Sequence, residues 1–122
     1  MSDSSTNLKQ LRDTVAEFVT QRDWRQFHTP KNLSMALAVE AAELMEHFQW
    51  LTPLESSEIR SDPHKLLPVQ EEIADIFCYT MALANELDID LSEAFHKKMI
   101  KNREKYPAGE FRGRYRKDDG DA

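Results

Sequence analysis

Glu40-Ala41-Ala42-Glu43 and Glu72-Ile73-Ala74-Asp75 are two acidic pairs at the same i, i+3 spacing. At about 100° per residue, that spacing sets both carboxylates of a pair on nearly one helix face. Each pair lies beside an apolar stripe, not opposite it. His47 and Trp50 continue the first edge, and Tyr79 continues the second. If the two helices pack antiparallel by their stripes, four carboxylates converge at one rim. Like charges so placed raise one another's pKa, and a divalent cation relieves the conflict. All-oxygen ligation suits magnesium, which keeps several waters and shares its shell with phosphates. Cys78 is the only cysteine, so a thiolate metal site is excluded. A di-iron carboxylate bundle needs a Glu-x-x-His pair on each of two helices. Only Glu93-x-x-His96 has that spacing. Either acidic pair alone reads as a solvated helix face; their repetition beside two stripes favours a site.

Aromatic and basic residues suggest what such a site would hold. Trp24, Trp50 and Tyr79 can supply a slot in which a nucleobase stacks. Phe27 reads as core, and His28 can hydrogen-bond a ligand or serve structure. Lys98 and Asn102 share a helix face at i, i+4, where an ammonium and an amide can meet phosphate oxygens; on spacing alone a plain solvated helix surface is the better account. The sequence has no glycine-rich phosphate loop and no nucleophile triad, so phosphate chemistry here must be led by a metal.

Charge narrows the partners. Residues 1–95 carry 17 acidic and 7 basic side chains (−10), and residues 96–122 carry 9 basic and 5 acidic (+4). An acidic body repels a nucleic-acid polymer, whereas a small polyanion held between metal-bearing carboxylates and a local basic wall fits.

The elements that must position these groups are helices. Of 122 residues, 40% are hydrophobic and 31% charged, with three glycines and five prolines, which favours long helices over a turn-rich β-fold. No apolar run approaches a membrane span, and Met1–Thr6 lacks the pattern of a signal peptide. The single cysteine suits a reducing, cytoplasmic setting. Leu8, Leu11, Val15 and Phe18 form one helical stripe, capped by Ser5 or Thr6. Thr29-Pro30 is a cap followed by an N1 proline, and opens a second helix over about 31–51. Residues 52–67, with Pro53 and Pro63, read as a loop. A third helix spans about 68–87, with Val69, Ile73, Ile76, Thr80, Leu83 and Leu87 inward. Asp90-Leu91-Ser92-Glu93 opens a fourth that ends before Tyr106-Pro107. The expectation is an all-α, four-helix bundle-like single domain over 1–122, with an ordered core of about 6–107 and a loosely ordered basic tail from 108.

The run Arg22-Asp23-Trp24, Phe27-His28-x-Pro30-x-Asn32-Leu33, Glu40-x-x-Glu43 and Phe48-Gln49-Trp50 resembles the all-α nucleoside triphosphate pyrophosphatases of the MazG-like superfamily. So do Glu72-x-x-Asp75-x-x-x-Tyr79 and Lys98-Met99-x-x-Asn102-x-x-x-Tyr106-Pro107, and the surroundings are most similar to its dCTP pyrophosphatase branch. The resemblance covers roughly residues 8–107. It implies hydrolysis of a dNTP to dNMP and pyrophosphate with magnesium, in the service of nucleotide-pool house-cleaning. It further implies metal ligation by Glu40, Glu43, Glu72 and Asp75, with Glu40 or Glu43 handling the attacking water. Trp24 and Trp50 would wall the base pocket with Tyr79 nearby, and Lys98 and Asn102 would meet the triphosphate. A homotetramer, a dimer of dimers with sites shared between chains, is implied as well. One position departs from the pattern. Where the mammalian branch has a histidine near the base pocket, this sequence has Val15, which implies looser selection of cytosine. A competing reading, a non-catalytic helical oligomer that binds a nucleotide or a protein, needs only the apolar stripes.

Overall fold

The computed structural model describes residues 1–115, so Arg116 and Lys117 of the basic tail lie outside the described residues. The helices are α1 (Leu8–Gln21), α2 (Pro30–Glu46), α3 (Pro53–Glu58), α4 (Pro63–Glu86), α5 (Leu91–Lys105) and α6 (Ala108–Phe111). Single 3-10 turns occupy Arg25–Phe27 and Ile59–Ser61. Among the described residues there is no strand, and no helix is long and apolar enough to cross a membrane. The chain divides into two compact units, Met1–Ile89 and the remainder from Asp90.

Caps decide where each helix begins. Asn7, rather than Ser5 or Thr6, opens α1: its Oδ1 accepts from the Gln10 N–H at 2.9 Å, and the Gln10 side chain accepts from the Asn7 N–H at 2.8 Å. Thr29 caps α2 ahead of Pro30, as the sequence predicts. The expected loop over 52–67 is instead largely helical. Thr52 and Glu55 form a reciprocal capping box around Pro53, and Asp62 accepts from the His64 and Lys65 N–H groups ahead of Pro63. The prolines that read as breakers stand at N1, where the missing N–H has no helical partner to lose. Helix α4 therefore starts five residues earlier than expected and contains Pro68 in its second turn. Asp90 caps α5 through the Glu93 N–H, and a short helix follows Pro107 where a loose tail was expected.

In the first unit, α4 is the spine against which α1 and α2 pack. Its core comprises Val15 and Val19 of α1, Leu33 of α2, Ile59, and Val69, Met81, Ala82 and Ala84 of α4. A reciprocal clamp joins α1 to the end of α4. The Arg12 guanidinium donates to Asn85 Oδ1 at 2.9 Å and to the Ile89 carbonyl at 2.7 Å, and the Asn85 amide donates to the Arg12 carbonyl at 3.2 Å. Ile73 and Leu87, expected inward, are exposed, as are Leu67 and Phe77 of the same helix. Helix α4 is apolar on more than one face, and this unit covers only one of them. Phe27, read as core, is exposed too. In the second unit, α5 buries none of its residues.

Helices α1 and α4 end alike. After α1 the Trp24 N–H reaches the Val19 carbonyl and the Asp23 N–H reaches that of Thr20; after α4, Ile89 and Asp88 repeat the pattern on Ala84 and Asn85. This double closure requires a left-handed residue, supplied by Asp23 and Asp88, each at φ 52°. An L-residue there carries a Cβ penalty that glycine lacks. Asp88→Gly is therefore expected to raise the urea midpoint, and Asp88→Val to lower stability by about 1–2 kcal/mol with an unchanged m-value. Equilibrium unfolding at fixed protein concentration checks both.

Candidate metal centre and flanking cavities

Later residues of α2 meet earlier residues of α4: Glu40 and Glu43 lie with Glu72, whereas His47 shares a cavity with Pro68. The two helices thus run antiparallel, and the first acidic pair faces the start of the second. One oxygen from each of Glu40, Glu43 and Glu72 lies within 4.8 Å of the others. Two of these residues hold an orphaned atom: Glu40 Oε2 and Glu72 Oε2 are buried and accept no hydrogen bond among the described residues. Buried acceptors without donors are rare and destabilising. A divalent cation would satisfy both oxygens and offset the crowded charge, so the residues present fit such an ion. The all-carboxylate donor set favours a hard one. Asp75 stands one helical turn beyond Glu72, exposed and outside this trio.

The electrostatics carry the same signature. The Glu40 carboxyl is pushed up to about 7, first by Glu72 within hydrogen-bonding reach, then by burial, then by Glu43. Tyr79 is half-buried and its phenol is raised, mainly by burial and then by the charges of Glu40, Asp75 and Cys78. It therefore lies in the field of the acidic group. Burial and Asp75 raise the Cys78 thiol, which makes it a poor nucleophile.

A cavity of about 200 Å³ opens between α1 and the C-terminal half of α4. Val15, Val19 and Ala82 give it an apolar floor, while Thr20, His28 and the Arg25–Glu86 ion pair (3.6 Å) supply polar groups. His28 and Val15 thus line the same cavity. Trp24 packs edge-on against Phe18 with centroids 5.6 Å apart and keeps 42% of its surface exposed. Trp50 is 87% exposed, and no ring contact joins it to Trp24 among the described residues. Lys98 and Asn102 belong to the second unit, one turn apart on α5, where the Asn102 amide reaches Met99 Sδ at 3.7 Å.

Sequence reasoning passed over Thr20, Arg25 and Glu86, which no spacing rule marks. It also left His64 and Lys65 in a loop, although Asp62-Pro63 is the same cap-plus-proline signal as Thr29-Pro30.

The MazG-like family profile matches residues 35–118. The chain is 42% identical over 106 residues to dCTP pyrophosphatase 1 of Mus musculus, which covers 87% of this chain and 62% of that protein. Against the Homo sapiens protein of the same name it is 44% identical over 101 residues, 83% of this chain and 59% of that one. The chain thus spans about three fifths of the length of these curated relatives. A crystal structure of a pyrophosphatase from Archaeoglobus fulgidus superposes with a TM-score of 0.75 at 36% identity, over 88% of this chain and 98% of that one. An all-helical fold with glutamates gathered from two packed helices is the class these features define. The chain belongs to the MazG-like family, and within it to the dCTP pyrophosphatase-like branch.

The raised Glu40 carboxyl has a consequence for stability. A group whose folded pKa lies above its unfolded value stabilises the fold fully below the unfolded pKa, and that contribution is lost as pH rises through the folded one. For Glu40 the window runs from about 4.5 to about 7. In EDTA, the melting temperature of the wild type is expected to fall across this window relative to Glu40→Gln. A divalent cation at pH 8 should restore it. Parallel melting profiles for the two proteins would exclude this coupling.

Proposed function

We propose that this chain, acting as a single domain over 1–122, is a magnesium-dependent nucleoside triphosphate pyrophosphohydrolase. It converts a dNTP, with dCTP-like substrates favoured, to dNMP and pyrophosphate and serves cytoplasmic nucleotide-pool house-cleaning. The observation that carries this reading is the Glu40–Glu43–Glu72 trio with its two unpartnered, buried oxygens. Family membership and the named activity of the mouse and human relatives support it.

Glu40, Glu43, Glu72 and Asp75 would hold the cation, with Asp75 closing on it from one turn away. Magnesium, when bound, supplies neutralisation of the triphosphate and polarisation of the phosphorus. Glu40 or Glu43 orients the attacking water and takes its proton. Trp24 and Trp50 stack on the base, Tyr79 borders it, and His28 offers it a hydrogen bond. Lys98 and Asn102 bind phosphate oxygens. Among the described residues Trp50 makes no ring contact, and Leu67, Ile73 and Phe77 of α4 are exposed. Both features suit a homotetramer, a dimer of dimers whose sites take residues from neighbouring copies. With Val15 lining the cavity, cytosine is selected less strictly than by a polar residue there.

Product analysis tests the reaction. Each dNTP, with CTP, UTP and a 5-modified dCTP, is incubated with magnesium or with EDTA and the nucleotides are separated. Monophosphate and pyrophosphate should appear only with magnesium, and Glu43→Gln should lower turnover by about 100-fold or more. Diphosphate and free phosphate would identify a different phosphohydrolase. Sedimentation equilibrium tests the assembly, with a tetramer expected and a monomer refuting the shared site.

A further inference from the structure

Between the end of α2 and the start of α4 lies a second cavity, of about 320 Å³, lined by His47, Leu51, Ile59, His64, Lys65 and Pro68. Its position follows from helix geometry. His47 stands one turn beyond Glu43 on α2, and Pro68 one turn before Glu72 on α4, so the cavity sits about 6 Å along the helices from the acidic trio. Among the described residues its lining contains no carboxylate, in a stretch of chain with net charge −10. Each imidazole offers at least one N–H and the ammonium offers three. None of these side chains donates a hydrogen bond within the protein among the described residues. All three are exposed and free to turn toward an anion.

We propose that this cavity, through His47, His64 and Lys65, seats two linked phosphate groups: the β- and γ-phosphates of a bound triphosphate, and afterwards the pyrophosphate released from it. The proposal rests on the pyrophosphohydrolase reading above and adds residues that it does not use. As the water oxygen bonds to the α-phosphorus and its proton passes to a glutamate, the α–β anhydride bond breaks. The electron pair stays with the departing pyrophosphate. The added negative charge then lies within reach of N–H donors, which bind it more strongly than they bound the uncleaved group. The volume admits a diphosphate with several waters, each of which takes about 30 Å³. Lys65 also faces a neighbouring hollow with Glu55, Glu58 and Asp62. Its charge helps, after the Thr52 N–H and hydroxyl, to hold the Glu55 carboxyl below its usual range. A purely structural role for Lys65 would act there alone.

Calorimetric titration of the magnesium-loaded full chain with inorganic pyrophosphate separates these roles, with an α,β-imido dNTP as a second ligand. The double variant His64→Ala/Lys65→Ala is expected to bind pyrophosphate at least about tenfold more weakly. It should keep the wild-type rise in melting temperature on adding magnesium. Weakening of both ligands shows that the cavity serves bound triphosphate and product alike, whereas weakening of pyrophosphate alone restricts it to the product. Unchanged pyrophosphate affinity, loss of the magnesium-dependent shift, or a wild type that binds no pyrophosphate overturns the proposal. Failure of the two readings is distinguishable. Pyrophosphate binding that depends on these residues without nucleotide cleavage leaves the anion site standing and removes the enzyme; cleavage with insensitive binding does the reverse.

Discussion

Three carboxylates drawn from two helices into a space smaller than 5 Å are the constraint around which the first unit is organised. Left to themselves they would repel, and two of their oxygens are buried without a donor among the described residues. The fold tolerates this because the antiparallel packing of α2 on α4 is held elsewhere. Leu33 and Val69 are buried, Ile59 closes the connection, and the Arg12–Asn85 clamp ties α1 to the far end of α4. Burial and caps thus support a site that is unfavourable on its own, and a cation removes the conflict.

Helix α4 orders the whole arrangement along one axis. Near its start lies the cavity lined by His64 and Lys65; two turns beyond them comes Glu72; then Tyr79; and toward its end comes the cavity floored by Val15 and Ala82. Donors for anions, ligands for a cation and an apolar, half-polar recess follow one another along a single rod. A single helix sets such spacings along its axis, since each residue adds about 1.5 Å. The same rod is apolar beyond the face that α1 and α2 cover, and Leu67, Ile73 and Phe77 remain at the surface of this unit.

Much of this was legible in the chain because it depends on local chemistry. Helix propensity, the 3.6-residue period, the cap at Thr29-Pro30 and the stop before Pro107 act over a few residues. The same is true of the i, i+3 acidic pairs, whose shared face needs only a helix. The errors were also local in origin: Pro53 and Pro63 were weighed as breakers, although Thr52-x-x-Glu55 and Asp62 marked them as first residues of helices. What the sequence determined by itself was therefore the helical class, the acidic edges and the family. Tertiary structure alone decided that Glu72 but not Asp75 joins Glu40 and Glu43, that Ile73 and Phe27 face outward, and that His47 lines one cavity with His64 and Lys65. Those outcomes depend on the register and hand of one helix against another, which packing sets over distances that no short stretch of sequence encodes.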